Sequence, residues 1–283
     1  MSISISSNFD AGNIEVIDIK DSNNIQLKIE KDTKSDFLQW FYFRMQGGKD
    51  QACKLNIINA GDAAYPEGWE NYQVRASYDR EIWFQIPTDY KDGVLSMEFT
   101  PDYDSVYIAY FAPFSYEQHL NLVNSAQQSP LCKLESIGET IQGRPIDFLR
   151  IGDGDNTKKK LWVIARQHPG ESMAEWFMLG LISRILDEED SSSVSLLKKA
   201  NLYLIPNMNI DGSILGNLRV NANGINLNRE WANPNIENSP EVYYAKQKMR
   251  EIGMDFNLDV HGDEGLPYVF ISGIEGIPSF DKK

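Results

Sequence analysis

The hydrophobic pattern of the chain changes once, near residue 115, and this change limits the folds that it can adopt. Before that point, short runs rich in Ile, Val, Phe, Tyr and Trp are separated by turn segments such as DSNN, GGKD and KDG. Such runs predict short strands. Seven or so strands without intervening helices predict an antiparallel β-sandwich. The segment APFSYEQHLNLVNSAQQSP then switches to helical spacing and connects the two parts.

In the second part, strand-like and helix-like segments alternate. LWVIAR, NLYLIPN, DFNLDV and YVFISG predict strands, and residues 133–152 predict a hairpin. Residues 171–187 and 240–252 predict helices, the latter with Ser239 as N-cap and Gly253 past its end. Alternation of this kind indicates an α/β domain with a largely parallel sheet. We therefore predict a β-sandwich domain over residues 1–118 and an α/β domain over residues 119–283.

The charge and the cysteine content exclude several classes of protein. The 283 residues include 27 basic and 41 acidic side chains, a net charge of −14, which argues against nucleic acid and anionic membranes as partners. No apolar run is long enough to span a membrane, and the N-terminus lacks the features of a signal peptide. The two cysteines form no spacing motif and indicate reduced residues. These features predict a cytoplasmic protein.

Two of the three histidines follow predicted strands of the second domain. His168 comes just after LWVIAR and precedes Glu171 by three residues, and His261 comes just after DFNLDV. In open α/β sheets, ligands bind at the carboxyl ends of the strands. Two histidines and one glutamate form a ligand set for catalytic zinc that leaves a position open for water. His119 lies in the connection between the domains and is interpreted as a structural residue.

Between a strand and a helix lies the long segment NMNIDGSILGNLRVNANGINLNREW, residues 207–231, rich in Asn and Gly. Long irregular loops in this position are often functional. The segment carries Arg219 and Arg229, and arginine is suited to binding carboxylates and to stabilising an oxyanion.

These motifs together resemble those of the M14 zinc carboxypeptidases, and within them the cytosolic carboxypeptidase subfamily. HPGE is similar to the H-x-x-E zinc motif of the family, NIDG…GNLR…GINLNREW to its conserved central block, and DVHGDEG to the segment with the second histidine ligand. QWFYFRM and YIAYFAPFSYEQHL resemble the sandwich domain that precedes the catalytic domain in this subfamily. The resemblance extends from about residue 8 to the end of the sequence. It implies an N-terminal antiparallel β-sandwich followed by an α/β/α domain with a mixed central sheet.

The resemblance also implies a role for each candidate site residue. Zinc would be the cofactor, and the substrates would be the C-terminal tails of peptides or proteins. The implied metal ligands are His168, Glu171 and His261; Arg219 would polarise the scissile carbonyl group, and Asn228 and Arg229 would bind the free C-terminal carboxylate. That carboxylate clamp would make the enzyme an exopeptidase.

The sequence departs from the family pattern at several positions. Ile210 replaces a proline, Asn226 replaces an aspartate that supports a zinc-binding histidine, and Asp263 stands where the subfamily often has His or Ser. An amide accepts a hydrogen bond from imidazole less strongly than a carboxylate, so the Asn226 change predicts weaker metal binding. The general base of the family is a glutamate well downstream of the second histidine. Glu264 and Glu275 follow His261 outside that context, so we expect the chain to stop before the base.

Two other functions are compatible with part of this pattern. A zinc deacylase of the aspartoacylase type has the same H-x-x-E…H ligands, but the N-terminal strands and LNREW argue against it. A non-catalytic pseudo-peptidase that binds C-terminal tails would need no general base. The preferred C-terminal residue and the oligomeric state are left open by the sequence.

Overall fold

A computed structural model of the chain describes residues 2–266 and 268–272. The strands of these residues form three five-stranded sheets, two within residues 4–109 and one within residues 132–260. All five α-helices of the described residues follow the first two sheets along the chain. The predicted order of a β-domain followed by a mixed α/β domain is therefore confirmed.

The N-terminal sheets together contain ten strands. In spatial order, the first sheet consists of β1 (Ser4–Ser6), β4 (Tyr42–Gln46), β10 (Ser105–Ala109), β6 (Arg75–Ser77) and β7 (Phe84–Gln85). The second consists of β2 (Glu15–Asp18), β3 (Ile25–Lys28), β5 (Cys53–Ile57), β9 (Val94–Phe99) and β8 (Thr88–Lys91). Neighbouring strands are antiparallel except β3 and β5, which pair in parallel. The sandwich is therefore mainly antiparallel, whereas the sequence predicted a wholly antiparallel one.

Both N-terminal sheets contribute to one hydrophobic core. Alternate residues of β3 and β9 point inward, among them Leu27 and Met97, which are fully buried. Phe43 of β4 and Phe41, just before that strand, lie in the same core. This period of two residues is the pattern that the sequence showed, because successive side chains of a strand point to opposite faces.

The third sheet lies in the α/β domain. Its spatial order is β11 (Cys132–Glu139), β12 (Pro145–Ile151), β14 (Ala200–Ile205), β13 (Lys159–Ala165) and β15 (Phe256–Val260). The strand β13 is parallel to both of its neighbours, whereas β11, β12 and β14 pair antiparallel. The sheet is therefore mixed, as the family resemblance implied, rather than largely parallel.

Helices cover both faces of this sheet. They are α1 (Tyr116–Ala126), α2 (Met173–Ile185), α3 (Ser191–Leu197), α4 (Ile210–Leu215) and α5 (Pro240–Ile252). On β13, Val163 joins the core with α1 and α2, and Trp162 joins the core with α5. A strand buried on both faces reads as a continuous apolar run, which explains LWVIA.

Several details differ from the prediction. The helix α4 lies in the segment that was interpreted as an irregular loop. The strand predicted for YVFISG is absent from its described residues, 268–272, where Val269 and Ile271 are almost fully exposed. Residues 268–271 have side chains of the strand type but are assigned to no strand in the described part of the chain, and Gly273 lies outside the described residues. The domain boundary between residues 118 and 119 stays a prediction, and both residues belong to α1. No helix in the described part of the chain is long and apolar enough to cross a membrane.

Candidate metal centre

The structure brings the three predicted metal ligands together at the carboxyl ends of two neighbouring strands. His168 follows β13, Glu171 lies in the turn that leads into α2, and His261 follows β15. One ligand atom from each residue lies within 4.8 Å of the others. The strands β13 and β15 are parallel, so their ends meet at one edge of the sheet. The proximity that the sequence predicted follows from this pairing.

The Glu171 carboxylate lies between the two imidazole rings. One oxygen is 2.7 Å from Nδ1 of His168, and the other is 2.8 Å from Nδ1 of His261. The Gly262 N–H also donates to the second oxygen, at 3.0 Å. Burial acts to raise the pKa of Glu171, but the hydrogen bonds with both imidazoles outweigh it and lower the pKa to about 2. The carboxylate is therefore ionised at neutral pH.

The opposite nitrogen of each ring faces a hydrogen-bond acceptor. Nε2 of His168 is 3.1 Å from Oδ1 of Asn226, and that oxygen also accepts from the Asn228 N–H. A backbone donor identifies this atom as the amide oxygen, so Nε2 of His168 must be the donor. Nε2 of His261 is 3.2 Å from Oδ2 of Asp259. Nδ1 of each ring therefore faces Glu171, either as an N–H donor to the carboxylate or as a ligand of a cation.

The Glu171 carboxylate and the two Nδ1 atoms lie so close together that each contact needs a proton or a cation. An Nδ1 lone pair and an ionised carboxylate at hydrogen-bond distance repel each other unless a cation or a proton lies between them. In the absence of a metal, burial lowers the pKa of His261, but Asp259 and Glu171 outweigh it and raise the pKa to about 10. The donor set and its geometry fit a divalent cation that prefers nitrogen and oxygen ligands, and zinc is such a cation.

Two successive side-chain hydrogen bonds lead from Trp231 through Gln167 to Asp259. The Trp231 indole N–H donates to Oε1 of Gln167 at 2.8 Å, and Nε2 of Gln167 donates to Oδ2 of Asp259 at 2.6 Å. Gln167 is fully buried. The sequence interpretation missed both Gln167 and Asp259. A signal existed for Asp259, because it lies two residues before His261 along β15 and so falls on the same face of the chain.

The turn that carries His168 rests on a buried ionic network. Arg166 donates to the Pro169 carbonyl at 3.0 Å and lies 2.6 Å from one oxygen of Glu175. The other oxygen of Glu175 is 2.6 Å from Nδ1 of His119, whose Nε2 is 3.0 Å from Asp147. Burial lowers the pKa of His119, but the bonds to Asp147 and Glu175 raise it to about 9. His119 is thus a buried structural partner, in agreement with its interpretation from sequence.

The remaining predicted residues lie in the segment that follows β14. The Arg219 guanidinium carbon is 5.4 Å from the ring centroid of Tyr65 and 5.8 Å from that of Phe37, both from the N-terminal part of the chain. Asn228 and Arg229 lie on a 3-10 turn that begins at Leu227. Asn226 precedes this turn directly and contacts His168, so the turn is anchored to the metal centre.

Two acidic residues after His261 differ in their surroundings. Asp263 caps its own turn by accepting from the Gly265 and Leu266 N–H groups. Glu264 lies against Gly68 of the N-terminal part. Burial, followed by the charge of Glu171, raises the pKa of Glu264 to about 7. Glu275 lies outside the described residues, so the identity of the general base stays a prediction.

Comparisons with known protein families agree with this arrangement. Residues 5–111 match the model of the cytosolic carboxypeptidase N-terminal domain. Residues 116–251 match the model of the zinc carboxypeptidases. The two matches meet at the start of α1, where the fold passes from β-sheets to an α/β arrangement.

Individual relatives and a solved structure support the same assignment. An uncharacterized protein of Zymomonas mobilis is 49% identical over 282 residues, which cover 100% of this chain and 73% of that protein. Human cytosolic carboxypeptidase 2 is 27% identical, and its match covers 94% of this chain but 33% of the human protein. The crystal structure of a metallo-carboxypeptidase from Burkholderia cenocepacia has a TM-score of 0.96 at 45% identity and covers 99% of this chain and 76% of its own. The chain belongs to the M14 zinc carboxypeptidase family, in its cytosolic carboxypeptidase subfamily.

Proposed function

We propose that the protein is a zinc-dependent metallocarboxypeptidase that hydrolyses C-terminal residues from peptides or proteins. The observation that carries the proposal is the cluster of His168, Glu171 and His261, each of which offers one ligand atom within 4.8 Å of the others. Nε2 of His168 bonds to Asn226, and Nε2 of His261 lies 3.2 Å from the Asp259 carboxylate, which supports an orientation of both rings with Nδ1 towards Glu171. Such a set has the composition of a catalytic zinc site with three protein ligands.

The three ligands would hold zinc at the carboxyl edge of the third sheet. When bound, zinc would supply Lewis acidity that activates a water molecule near neutral pH. Asn226 and Asp259 would keep the imidazole rings in the orientation that binding requires, since acceptors behind the ligands fix both tautomer and angle. The short bonds from Gln167 to Asp259 and from Trp231 to Gln167 extend this support.

The arginines would act on the substrate. Arg219 would polarise the carbonyl group of the scissile bond and stabilise the oxyanion that develops from it. Asn228 and Arg229 would bind the C-terminal carboxylate, since a guanidinium group can donate two parallel hydrogen bonds to it. Arg229 is exposed, and its side chain has one intramolecular hydrogen bond in the described structure, to the Asn228 carbonyl. Its remaining donors are therefore free for a ligand.

The expected partners are the C-terminal tails of peptides or proteins in the cytoplasm, with no nucleic acid or membrane. The acidic net charge supports the second part of this statement. The names of the cytosolic relatives support the first.

Paired peptides test the proposed activity directly. The zinc-loaded protein is incubated with N-blocked dipeptides that have acidic, basic or aromatic C-terminal residues, each with a free or an amidated C-terminus. We expect release of the C-terminal residue from free peptides alone. An aspartoacylase-type deacylase would cleave N-acyl amino acids instead, and a pseudo-peptidase would bind the free peptides without cleaving them. Either result would contradict the proposal.

The carboxylate clamp is tested by Arg229→Lys, which keeps the charge but removes the planar fork. A charged hydrogen bond contributes about 1.5–3 kcal/mol, so kcat/KM on free peptides should fall about tenfold or more, mainly through KM. Arg250→Lys is the matched control, because Arg250 is exposed near the end of α5. Unchanged kinetics of Arg229→Lys would remove Arg229 from the clamp, and zinc content should stay the same in both variants.

A further inference from the structure

The segment that carries Arg219 is shaped by residues far away in the sequence. Asp32 lies between β3 and β4 of the N-terminal sheets and is 3% exposed. One of its carboxylate oxygens accepts from the Leu218 N–H at 2.6 Å. The other accepts from the Arg219 N–H at 2.7 Å and from the Val220 N–H at 3.2 Å. A single carboxylate thus binds three successive backbone donors centred on Arg219.

Other contacts in this region confirm that the N-terminal part supports the same segment. Thr33 donates to Oδ1 of Asn217 through both its N–H, at 3.0 Å, and its hydroxyl group, at 3.1 Å. Asn13 donates to the Gly216 carbonyl at 3.0 Å. Gly216 has a φ of +70°, and a Cβ atom at this position would lie 2.8 Å from the Gly12 carbonyl oxygen. The two backbones therefore approach so closely that a larger residue would separate them.

The same region also faces the guanidinium group and the metal centre. Phe37, from the segment that contains Asp32, places its ring 5.8 Å from the Arg219 guanidinium carbon. The Leu218 carbonyl accepts from the Gly170 N–H at 2.8 Å, which ties the segment to the turn that contains His168 and Glu171. Leu218 is thus held on one side by Asp32 and on the other by the HPGE turn.

We propose that Asp32 is a positioning residue of the active site, through which the N-terminal domain fixes Arg219 relative to the metal ligands. Both carboxylate oxygens are occupied, so an amide cannot replace them: one side would present N–H groups to backbone N–H groups. The inference rests on the proposed function for the role of Arg219. The hydrogen bonds themselves are independent of any activity.

The test compares Asp32→Asn with Asp36→Asn in the zinc-loaded protein. Asp36 belongs to the same segment, but its side chain is 94% exposed and pairs with Lys31 on the surface. Misplacing a catalytic group by about 1 Å can cost about 10²-fold in rate, so we expect Asp32→Asn to lower kcat by about this factor. KM and zinc content should change little, and Asp36→Asn should behave as wild type.

A double-mutant cycle separates positioning of Arg219 from general damage. Arg219→Ala removes the group that Asp32 is proposed to place, so adding Asp32→Asn to it should cost less than about threefold more in kcat. An additional loss of about 10²-fold in that background would show that Asp32 acts elsewhere, and would overturn the proposal.

Amide hydrogen exchange provides a readout that does not depend on catalysis. The Leu218, Arg219 and Val220 amides should be protected in the wild-type protein and should exchange faster in Asp32→Asn. If the protein hydrolysed no peptide, the proposed function would fail while this measurement still tested the contact. Rapid exchange of these amides in the wild type would overturn the proposal even if Asp32→Asn did not fold.

Discussion

The proposed metal ligands and Arg219 lie in one candidate site, but different parts of the chain hold them. His168, Glu171 and His261 lie at the ends of two parallel strands, and their supports come from the same α/β domain. Arg219 lies on a segment whose backbone amides bind Asp32, 187 positions earlier in the sequence. The first arrangement is local to one sheet edge, whereas the second requires two domains to be folded together.

Because of this difference, we expect the two parts of the site to respond differently to mutations. The proposed ligands His168 and His261 follow two paired strands, so we expect their spacing to persist as long as the sheet is intact. The Arg219 segment contains Gly216 and Gly224, both with positive φ, and its shape depends on contacts with the N-terminal part of the chain. We therefore expect changes in the N-terminal domain to alter the position of Arg219 at a smaller perturbation than is needed to weaken metal binding.

The largest effect should follow from removing a metal ligand. In His168→Ala or His261→Ala, one of three protein ligands is lost, and zinc should fall from about one per chain to near zero after dialysis. Activity should then fall at least about 10³-fold, since metal assistance contributes several kcal/mol to transition-state stabilisation. Glu117→Gln, at an exposed position on α1, is the control and should retain zinc. Full zinc occupancy in both alanine variants would contradict the ligand assignment.

A large loss of stability should follow from Glu175→Gln. Glu175 is fully buried and pairs with Arg166 and His119, so its neutralisation leaves a buried cation without its partner. Breaking a buried pair in this way costs about 3–5 kcal/mol in the free energy of unfolding. Glu98→Gln, at the exposed pair with Lys54, should cost about 0–1 kcal/mol. Urea unfolding of both variants measures the contrast, and equal losses would show that the buried network adds nothing.

A moderate effect on zinc affinity should follow from Gln167→Leu. The substitution removes the donor to Asp259 and leaves the Trp231 N–H without its acceptor. Loss of a hydrogen bond that orients a metal ligand or its partner lowers metal affinity about 10–100-fold. Gln127→Leu, at an exposed position on the surface, is the control. Exchange of the Arg219 amide should be unchanged in Gln167→Leu, and a matching loss of its protection would show that the two parts of the site are not held separately.

The sequence predicted the local part of the site better than the part that depends on both domains. His168, Glu171 and His261 could be grouped because each follows a recognisable strand or begins a helix. Asp32 gave no such signal, because its neighbours in the sequence are polar residues typical of a surface loop. Its partners are backbone N–H groups, which every residue except proline has, so no residue type in the sequence points to them. The parallel pairing of β3 with β5 was missed for a similar reason, since strand alternation fixes which face is buried but not which strand lies beside it.

The smallest expected effect concerns Asn226, where this chain departs from the family pattern. Its Oδ1 accepts from Nε2 of His168 at 3.1 Å and from the Asn228 N–H at 3.1 Å. In Asn226→Asp, a carboxylate oxygen can accept both bonds, and a charged acceptor strengthens the bond and makes the imidazole a better ligand. We expect zinc affinity to rise by up to about tenfold, measured by competition with a fluorescent chelator.

Asn223→Asp adds the same charge three residues earlier, where the side chain faces Lys34, and should leave the affinity unchanged. An equal gain in both variants would mean that net charge, rather than the bond to His168, sets the affinity. A loss in Asn226→Asp would mean that the amide is the better partner in this site.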